Sequence, residues 1–191
     1  MAIAVAGLAI ATSPAVADDH AMDDGVGKAE AGPTEAGQIG ASTQSDLINT
    51  KGQTIGAITL TQGSGGVLIH VKAAGLAPGK HGLHLHSHGT CDHHVGFTSA
   101  KGHVGKQPGK HGLLNPDGPE PGDLPNLYVH QDGTAEMETF TTFVSLTGDL
   151  HPLLDADGSS LIIHERADDH KTQPIGGSGP RVACAVFTSD E

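Results

Sequence analysis

The residues best suited to chemistry are two histidines one residue apart, His84 and His86, in the stretch HGLHLHSHGTC at residues 81–91. Alternate residues of a β-strand project to the same face. If this stretch is a strand, both imidazoles therefore face one ion. Imidazole is a ligand suited to copper and zinc. The pair alone is a weak signal of a transition-metal site.

Further metal-ligating residue types follow this pair in an ordered series. They are Gly102-His103, Lys110-His111, Gly122-Asp123, Ile163-His164-Glu165 and the closing stretch GPRVAC at residues 179–184. Fourteen histidines occur in the chain, and most of them need no special role. The ordered series is different, and it predicts a metal enzyme.

The order and spacing of these motifs resemble the copper/zinc superoxide dismutase family over residues 49–187, most of the chain. The resemblance implies copper ligands at His84, His86, His103 and His164. It implies zinc ligands at His103, which bridges the two metals, and at His111 and Asp123.

Glu120 departs from the family pattern, because it stands where the family usually has its third zinc histidine. A carboxylate is an acceptable zinc ligand, so the resemblance predicts Glu120 as a fourth, weaker ligand. Pro119 and Pro121 flank it and restrict the backbone. The alternative is a solvent-exposed Glu120 beside a three-ligand or empty zinc site.

The resemblance also assigns roles around the metals. Arg181 is expected beside the open copper position, where a fixed cation attracts and orients superoxide, with Lys171 as a candidate helper. Asp168 is expected to link a copper histidine to a zinc histidine through hydrogen bonds. Cys91 and Cys184 match the family's disulfide pair.

The implied function is disproportionation of superoxide to oxygen and hydrogen peroxide by copper redox cycling, with His103 also carrying a proton. A non-enzymatic copper- or zinc-binding protein on the same fold is the alternative. Three further histidines, His88, His93 and His94, fall off the ligand positions and are expected to be loop residues or copper collectors.

The charge balance limits the partners. Ten lysines and arginines stand against twenty-two aspartates and glutamates, a net charge of −12. Such a chain is not expected to bind nucleic acid or an anionic membrane surface. Its net negative charge also repels superoxide, so positive charge close to the site is needed to attract the anion. A homodimer is compatible with the sequence, which does not fix the oligomeric state.

The elements that must position these residues are short strands and long loops. Residues 53–60 and 67–71 alternate around a glycine-rich turn, residues 127–139 contain an Asp132-Gly133 hairpin signal, and residues 160–164 and 182–187 are the last strands. This pattern predicts an all-β fold, a Greek-key antiparallel barrel or sandwich. The segment from Cys91 to Pro125 is long enough to be a functional loop.

The N-terminus predicts export. Residues 1–17 are apolar, too short for a membrane span, and end in an A-x-A cleavage motif. They lack a basic region, so the true start of the leader is open, and a buried N-terminal helix is the alternative. Residues 18–46 predict a disordered acidic linker rich in alanine and glycine, and residues 47–190 the metal-binding domain. The expected location is periplasmic or secreted.

Overall fold

The computed structural model describes residue 2 and residues 37–189. The predicted signal segment and most of the predicted linker therefore lie outside the described residues. The described residues form nine strands: β1 Ser42–Asn49, β2 Thr54–Gly63, β3 Gly66–Ala73, β4 Gly79–His81, β5 Leu83–His86, β6 Leu127–Val129, β7 Ala135–Thr141, β8 Ser159–His164 and β9 Arg181–Phe187. Two short 3-10 helices lie at His93–Val95 and Thr98–Ala100. None of the described helices is long and apolar enough to cross a membrane.

Seven strands form one antiparallel sheet in the order β5-β8-β9-β1-β2-β3-β7, and β4 pairs with β6 in a second sheet. Strand β5 lies beside β8 instead of a sequence neighbour, and β1 joins β9 near the other end of the chain. These crossovers confirm the predicted all-β antiparallel fold with Greek-key connections.

Alternation along the strands separates the core from the site. On β5, Leu83 and Leu85 are fully buried in the main hydrophobic core, while His84 and His86 point to the opposite face. Strand β8 contributes Leu161 and Ile163 to the same core. The strand that carries the histidine pair is therefore fixed by the packing of its other face.

The boundary predicted at residue 46 is wrong, because β1 begins at Ser42. Residues 42–46 pair with β2 in continuous register, from Ser42 opposite Thr61 to Asp46 opposite Ala57. Only the far end of β1 carries a fully buried large residue, Leu47. Backbone hydrogen bonds to β2 stabilise residues 42–46. The prediction of a linker was based on the lack of large apolar residues, which says nothing about such bonds.

The hairpin predicted at Asp132-Gly133 is correct as a turn and wrong as a strand pair. The His130 N–H donates to the Thr134 carbonyl at 2.8 Å, and Gly133 has a φ of 82°. Strand β6, however, pairs with β4, and β7 pairs with β3. The turn therefore connects strands of two different sheets. Each strand pairs where its apolar face is buried, and for these two strands that place is not beside the other.

Candidate metal centre

Four buried histidines, the predicted copper ligands, meet on one side of β5. One ring nitrogen from each of His84, His86, His103 and His164 lies within 4.8 Å of the others. His84 and His86 come from β5, and His164 ends the neighbouring strand β8. His103 comes from the long loop and forms an isolated β-bridge with His86.

The backbone of Leu85 holds the loop ligands against β5. Its N–H donates to the Gly122 carbonyl at 2.8 Å, and its carbonyl accepts from the Val104 N–H at 2.9 Å. A Cβ at Gly122 would lie 2.3 Å from the Leu85 carbonyl oxygen, so only glycine permits this approach. His103, which precedes Val104, and Asp123, which follows Gly122, are thereby placed beside the histidine pair.

Two of the four histidines are oriented by backbone carbonyls. Nδ1 of His86 lies 2.9 Å from the Lys101 oxygen, and Nδ1 of His164 lies 2.8 Å from the Gly179 oxygen. A carbonyl only accepts, so each Nδ1 carries the hydrogen. The Nε2 atom of each ring is then a bare acceptor.

The other two histidines are oriented by carboxylates. Nε2 of His84 donates to Asp168 at 2.8 Å, and Nδ1 of His103 lies 2.8 Å from Glu120 and 3.2 Å from Asp123. The second nitrogen of each ring again faces the cluster.

The inward-facing nitrogens show that a metal fits. His84 Nδ1, His86 Nε2, His103 Nε2 and His164 Nε2 are all buried and have no hydrogen-bond partner. Buried polar atoms in proteins are nearly always paired, and four convergent imidazole lone pairs are a donor set suited to copper. A copper ion held by these four nitrogens would supply the partner that they lack.

The protonation of His84 and His164 agrees with this fit, whereas at His103 burial is outweighed by hydrogen bonds to Asp123 and Glu120, which raise its pKa. Burial lowers the pKa of His84 to about 4, although its hydrogen bond to Asp168 opposes the shift. Burial and the nearby His84 lower the pKa of His164 to about 3. Both rings are neutral at pH 7, the form that binds metal.

A second group of donors lies next to the first. One donor atom from each of His84, His103, His111 and Asp123 lies within 4.8 Å of the others, and Nδ1 of His111 is 2.7 Å from Asp123 Oδ1. Burial disfavours charge on His111, but hydrogen bonds to Asp123 and Asp168 outweigh it and raise the pKa to about 9. The three predicted zinc residues that match the family are thus brought together.

Glu120 is buried, with 2% of its surface exposed. Besides the contact with His103, its Oε1 atom accepts the Gln107 N–H at 3.0 Å. It does not belong to the group of donors around His111. The alternative of a solvent-exposed Glu120 is therefore wrong, while ligation of zinc stays a prediction.

Asp168 connects the two groups, as its predicted role requires. Its carboxylate lies 2.8 Å from Nε2 of His84 and 3.3 Å from Nε2 of His111. Oδ1 also accepts the backbone N–H of His170 at 2.6 Å. The carboxylate is fully buried, and these donors hold its pKa well below the usual range despite burial.

A cavity of about 570 Å³ opens onto the four-histidine cluster. Its lining includes His86, His103, His164, Arg181, Lys101 and Lys106. The Arg181 guanidinium donates to the carbonyls of Phe97 and Lys101, so the cation is held in place. The expected helper Lys171 is not among the lining residues; Lys101 and Lys106 are the lysines that face this space.

The predicted disulfide between Cys91 and Cys184 is confirmed, with a Cα–Cα distance of 5.7 Å. Cys184 is buried on β9, where it packs with Phe97 and Ala100 of the loop. The bridge thus ties the loop whose carbonyls hold Arg181 to the strand that carries Arg181. The remaining loop histidines, His88, His93 and His94, join neither group of donors among the described residues.

Comparisons with known proteins agree with this geometry. The sequence profile of copper/zinc superoxide dismutase matches residues 54–187. The chain belongs to the copper/zinc superoxide dismutase family. The Cu-Zn superoxide dismutase of Caulobacter vibrioides is 49% identical over 139 residues, 71% of this chain and 79% of the relative. Cu-Zn superoxide dismutase 2 of Aquifex aeolicus is 42% identical over 144 residues, 74% and 84% of the two chains. Among solved structures, a double mutant of a SOD-like protein from Bacillus subtilis is 39% identical with a TM-score of 0.73, covering 76% of this chain and 97% of that one.

Two cations of this superoxide dismutase domain were missed by sequence reasoning. Lys101 stands two residues before His103, and its carbonyl accepts from both His86 and Arg181. Lys106 follows His103 by three residues and lies close to Gly102. Their nearness to His103 along the chain was the available signal, because residues next to a buried ligand in a loop line the same space.

Proposed function

We propose that this protein is a superoxide dismutase that converts two superoxide anions and two protons into oxygen and hydrogen peroxide. The observation that carries the proposal is the set of four buried, unpartnered imidazole nitrogens beside a cavity that contains Arg181. A donor set without a substrate cavity would favour metal storage. A cavity with a fixed cation favours turnover of a small anion.

The inward-facing nitrogens of His84, His86, His103 and His164 hold copper. When bound, copper supplies the one-electron oxidation and reduction of substrate that protein side chains cannot provide. The carbonyl and carboxylate partners of the outer nitrogens keep each ring in place. The ligands therefore need no rearrangement of the fold to bind the metal.

Zinc is held by His103, His111 and Asp123, with Glu120 as the fourth ligand. Donor atoms of one tetrahedral zinc ion lie about 3.3 Å apart, given bonds of roughly 2.0 Å. The nitrogen–oxygen distances of 2.7 and 3.2 Å from Asp123 to His111 and His103 support this assignment. So does the 2.8 Å approach of Glu120 to His103.

Arg181 binds and orients superoxide next to His164 and His103. Its guanidinium cannot lose its charge at neutral pH, and its carbonyl contacts fix its direction. Lys101 and Lys106 add positive charge to the same cavity, which counters the repulsion from a chain of net charge −12. A cleft lined by charges of one sign focuses the electric field and raises the association rate of an oppositely charged substrate by roughly 10 to 1,000-fold.

His103 has a further task as a proton carrier. It lines the cavity and its Nε2 atom has no partner, so this atom can take up a proton and pass it to the reduced substrate. Its Nδ1 atom is occupied on the opposite side of the ring. Copper binding and proton transfer would therefore fall to the same atom, Nε2, in turn, while Nδ1 stays on the zinc side of the ring.

The same proposal places the enzyme in the periplasm or outside the cell, with residues 1–17 as a signal segment. The Cys91–Cys184 disulfide supports this location, because such bonds persist in oxidising compartments. The homodimer is kept as a hypothesis, and a measurement of mass in solution tests it.

Copper content and superoxide consumption, measured on the same metal-loaded preparation, test the function. We expect one copper per chain and rapid consumption. His164→Ala should lose both, whereas His130→Ala, at an exposed histidine outside both groups, should lose neither. A protein that holds copper through four nitrogens but consumes no superoxide would be a metal-binding relative without turnover.

A further inference from the structure

Glu120 is held in a single position by contacts on every side. Oε1 accepts the Gln107 N–H at 3.0 Å, and Oε2 lies 2.8 Å from His103 Nδ1. Its own N–H donates to Asp123 Oδ2 at 2.9 Å, and its carbonyl accepts the Asp123 N–H at 2.9 Å. The side chain is therefore built into the loop.

The position of Glu120 determines the state of the His103 ring. A carboxylate accepts hydrogen bonds, so His103 Nδ1 carries a hydrogen that points at Glu120. Nε2, which has no partner, then faces the other three histidines and is the atom available to copper. Asp123 Oδ1 also lies near Nδ1, at 3.2 Å, but it is closer to His111, at 2.7 Å. Glu120 is the shorter contact of the two.

The other three copper histidines have outer partners that do not depend on a second metal. His86 and His164 are held by backbone carbonyls, and His84 is held by Asp168. His103 alone has an outer nitrogen that also belongs to the proposed zinc site. Its orientation without zinc depends on what else lies at Nδ1, and the nearer group is Glu120, at 2.8 Å, with Asp123 at 3.2 Å.

Resting on the function proposed above, we infer that Glu120 is a positioning residue which holds His103 in its copper-binding orientation when no zinc is bound. Copper then enters a complete four-nitrogen site in the zinc-free protein. Copper loading is thereby independent of zinc. Zinc binding instead replaces the hydrogen on His103 Nδ1.

Copper titration of zinc-free protein, by chelator competition and electron paramagnetic resonance, tests this inference. The parent should bind one Cu(II) with a four-nitrogen signature. Glu120→Ala should bind it about ten- to a hundredfold more weakly, the range expected for loss of a hydrogen bond to a charged group. Glu120→Gln should weaken copper binding as well, because the Gln107 N–H keeps the amide oxygen on its own side and the NH₂ group, a donor, then faces the Nδ1–H of His103. Glu138→Ala, at an exposed glutamate on β7, is the matched control and should behave as the parent.

A second measurement needs no variant and no metal. In 15N-histidine spectra of the metal-free parent, His103 should show a slowly exchanging Nδ1–H. Absence of this signal would overturn the inference, and so would equal copper affinity of Glu120→Ala and the parent. If Glu120→Ala does not fold, the Gln variant and this spectrum decide. Normal copper binding by the parent without superoxide consumption would contradict the proposed function and leave the role of Glu120 standing.

Discussion

Replacing Asp168 by asparagine should disturb both metal sites through the tautomer of one histidine. In the parent, Oδ1 accepts the backbone N–H of His170 at 2.6 Å, and Oδ2 accepts Nε2–H of His84 at 2.8 Å. The His170 N–H is always a donor, so the oxygen of the new amide must stay on that side. The NH₂ group of Asp168→Asn then faces His84.

An NH₂ group donates, so Nε2 of His84 would have to become an acceptor. The ring hydrogen would move to Nδ1, the atom that faces the copper histidines, and its lone pair would no longer be available for a metal. Keeping the original tautomer instead would sacrifice one hydrogen bond to a charged group, worth about 1.5–3 kcal/mol. That energy corresponds to a loss of roughly 10 to 150-fold in copper affinity. His111, whose Nε2 lies 3.3 Å from the same carboxylate, would lose a charged partner, and zinc should weaken too.

Chelator competition with copper, and with zinc, measures the effect in Asp168→Asn. Asp169→Asn is the matched control, because Asp169 lies in the same loop but is exposed, and its carboxylate accepts hydrogen bonds from Lys171 and Thr172 and not from a metal-site histidine. We expect the control to bind both metals as the parent does. Copper affinity of Asp168→Asn within about threefold of the parent, with the same spectroscopic signature, would refute the tautomer argument.

Three further predictions address the cation, the disulfide and the two sites' pH dependence. Arg181→Gln should keep copper but lower kcat/KM about tenfold and flatten its dependence on ionic strength. Arg166→Gln, at an exposed arginine, is the control. An unchanged rate of Arg181→Gln at low salt would contradict the role assigned to Arg181. Reduction of the Cys91–Cys184 disulfide, whose cysteines are 93 residues apart, should destabilise the fold by about 5 kcal/mol in the chain-entropy model. Calorimetric scans with and without reductant measure this loss. Two titratable thiols in the oxidised, denatured protein would exclude the bridge. The pKa of His84 is about 4 and that of His164 is about 3, so these two rings release no proton when copper binds at neutral pH. At His103, burial is outweighed by hydrogen bonds to Asp123 and Glu120, which raise its pKa, so copper must displace a proton from that ring and its affinity should fall as the pH is lowered. Zinc must displace a proton from His111, whose pKa is about 9, so zinc affinity should rise with pH up to that value; equal pH slopes in parallel titrations of the two metals would count against this assignment.

The sequence predicted the strands well where side chains decide them. The β2–β3 hairpin, the β5 strand and the last two strands lie within three residues of the predicted positions. The prediction was wrong for β1, which is stabilised largely by backbone pairing, and for the partner of β6. Neither backbone pairing nor sheet partner leaves a local signal in composition or turn motifs.

The site was predicted mainly through its motifs. Spacing alone placed His84 and His86 on one face of a strand, but it could not place His103 or Asp123 beside them. That placement depends on the hydrogen bonds of Leu85 with Gly122 and Val104, which join segments distant in sequence. The burial of Glu120 could not be read from the sequence either, since the flanking prolines fit an exposed loop equally well.

The metal-free site is held together by contacts directed away from the metal. Each of the four copper histidines has its outer nitrogen engaged, two by carbonyls and two by carboxylates. The unpaired inner nitrogens destabilise the metal-free fold, because each buried polar atom without a partner costs about 1–3 kcal/mol. The core packing of β5 and the disulfide offset this cost. Metal binding removes this cost, and the energy recovered adds to the copper affinity, so copper should raise the thermal midpoint by the amount that this affinity predicts.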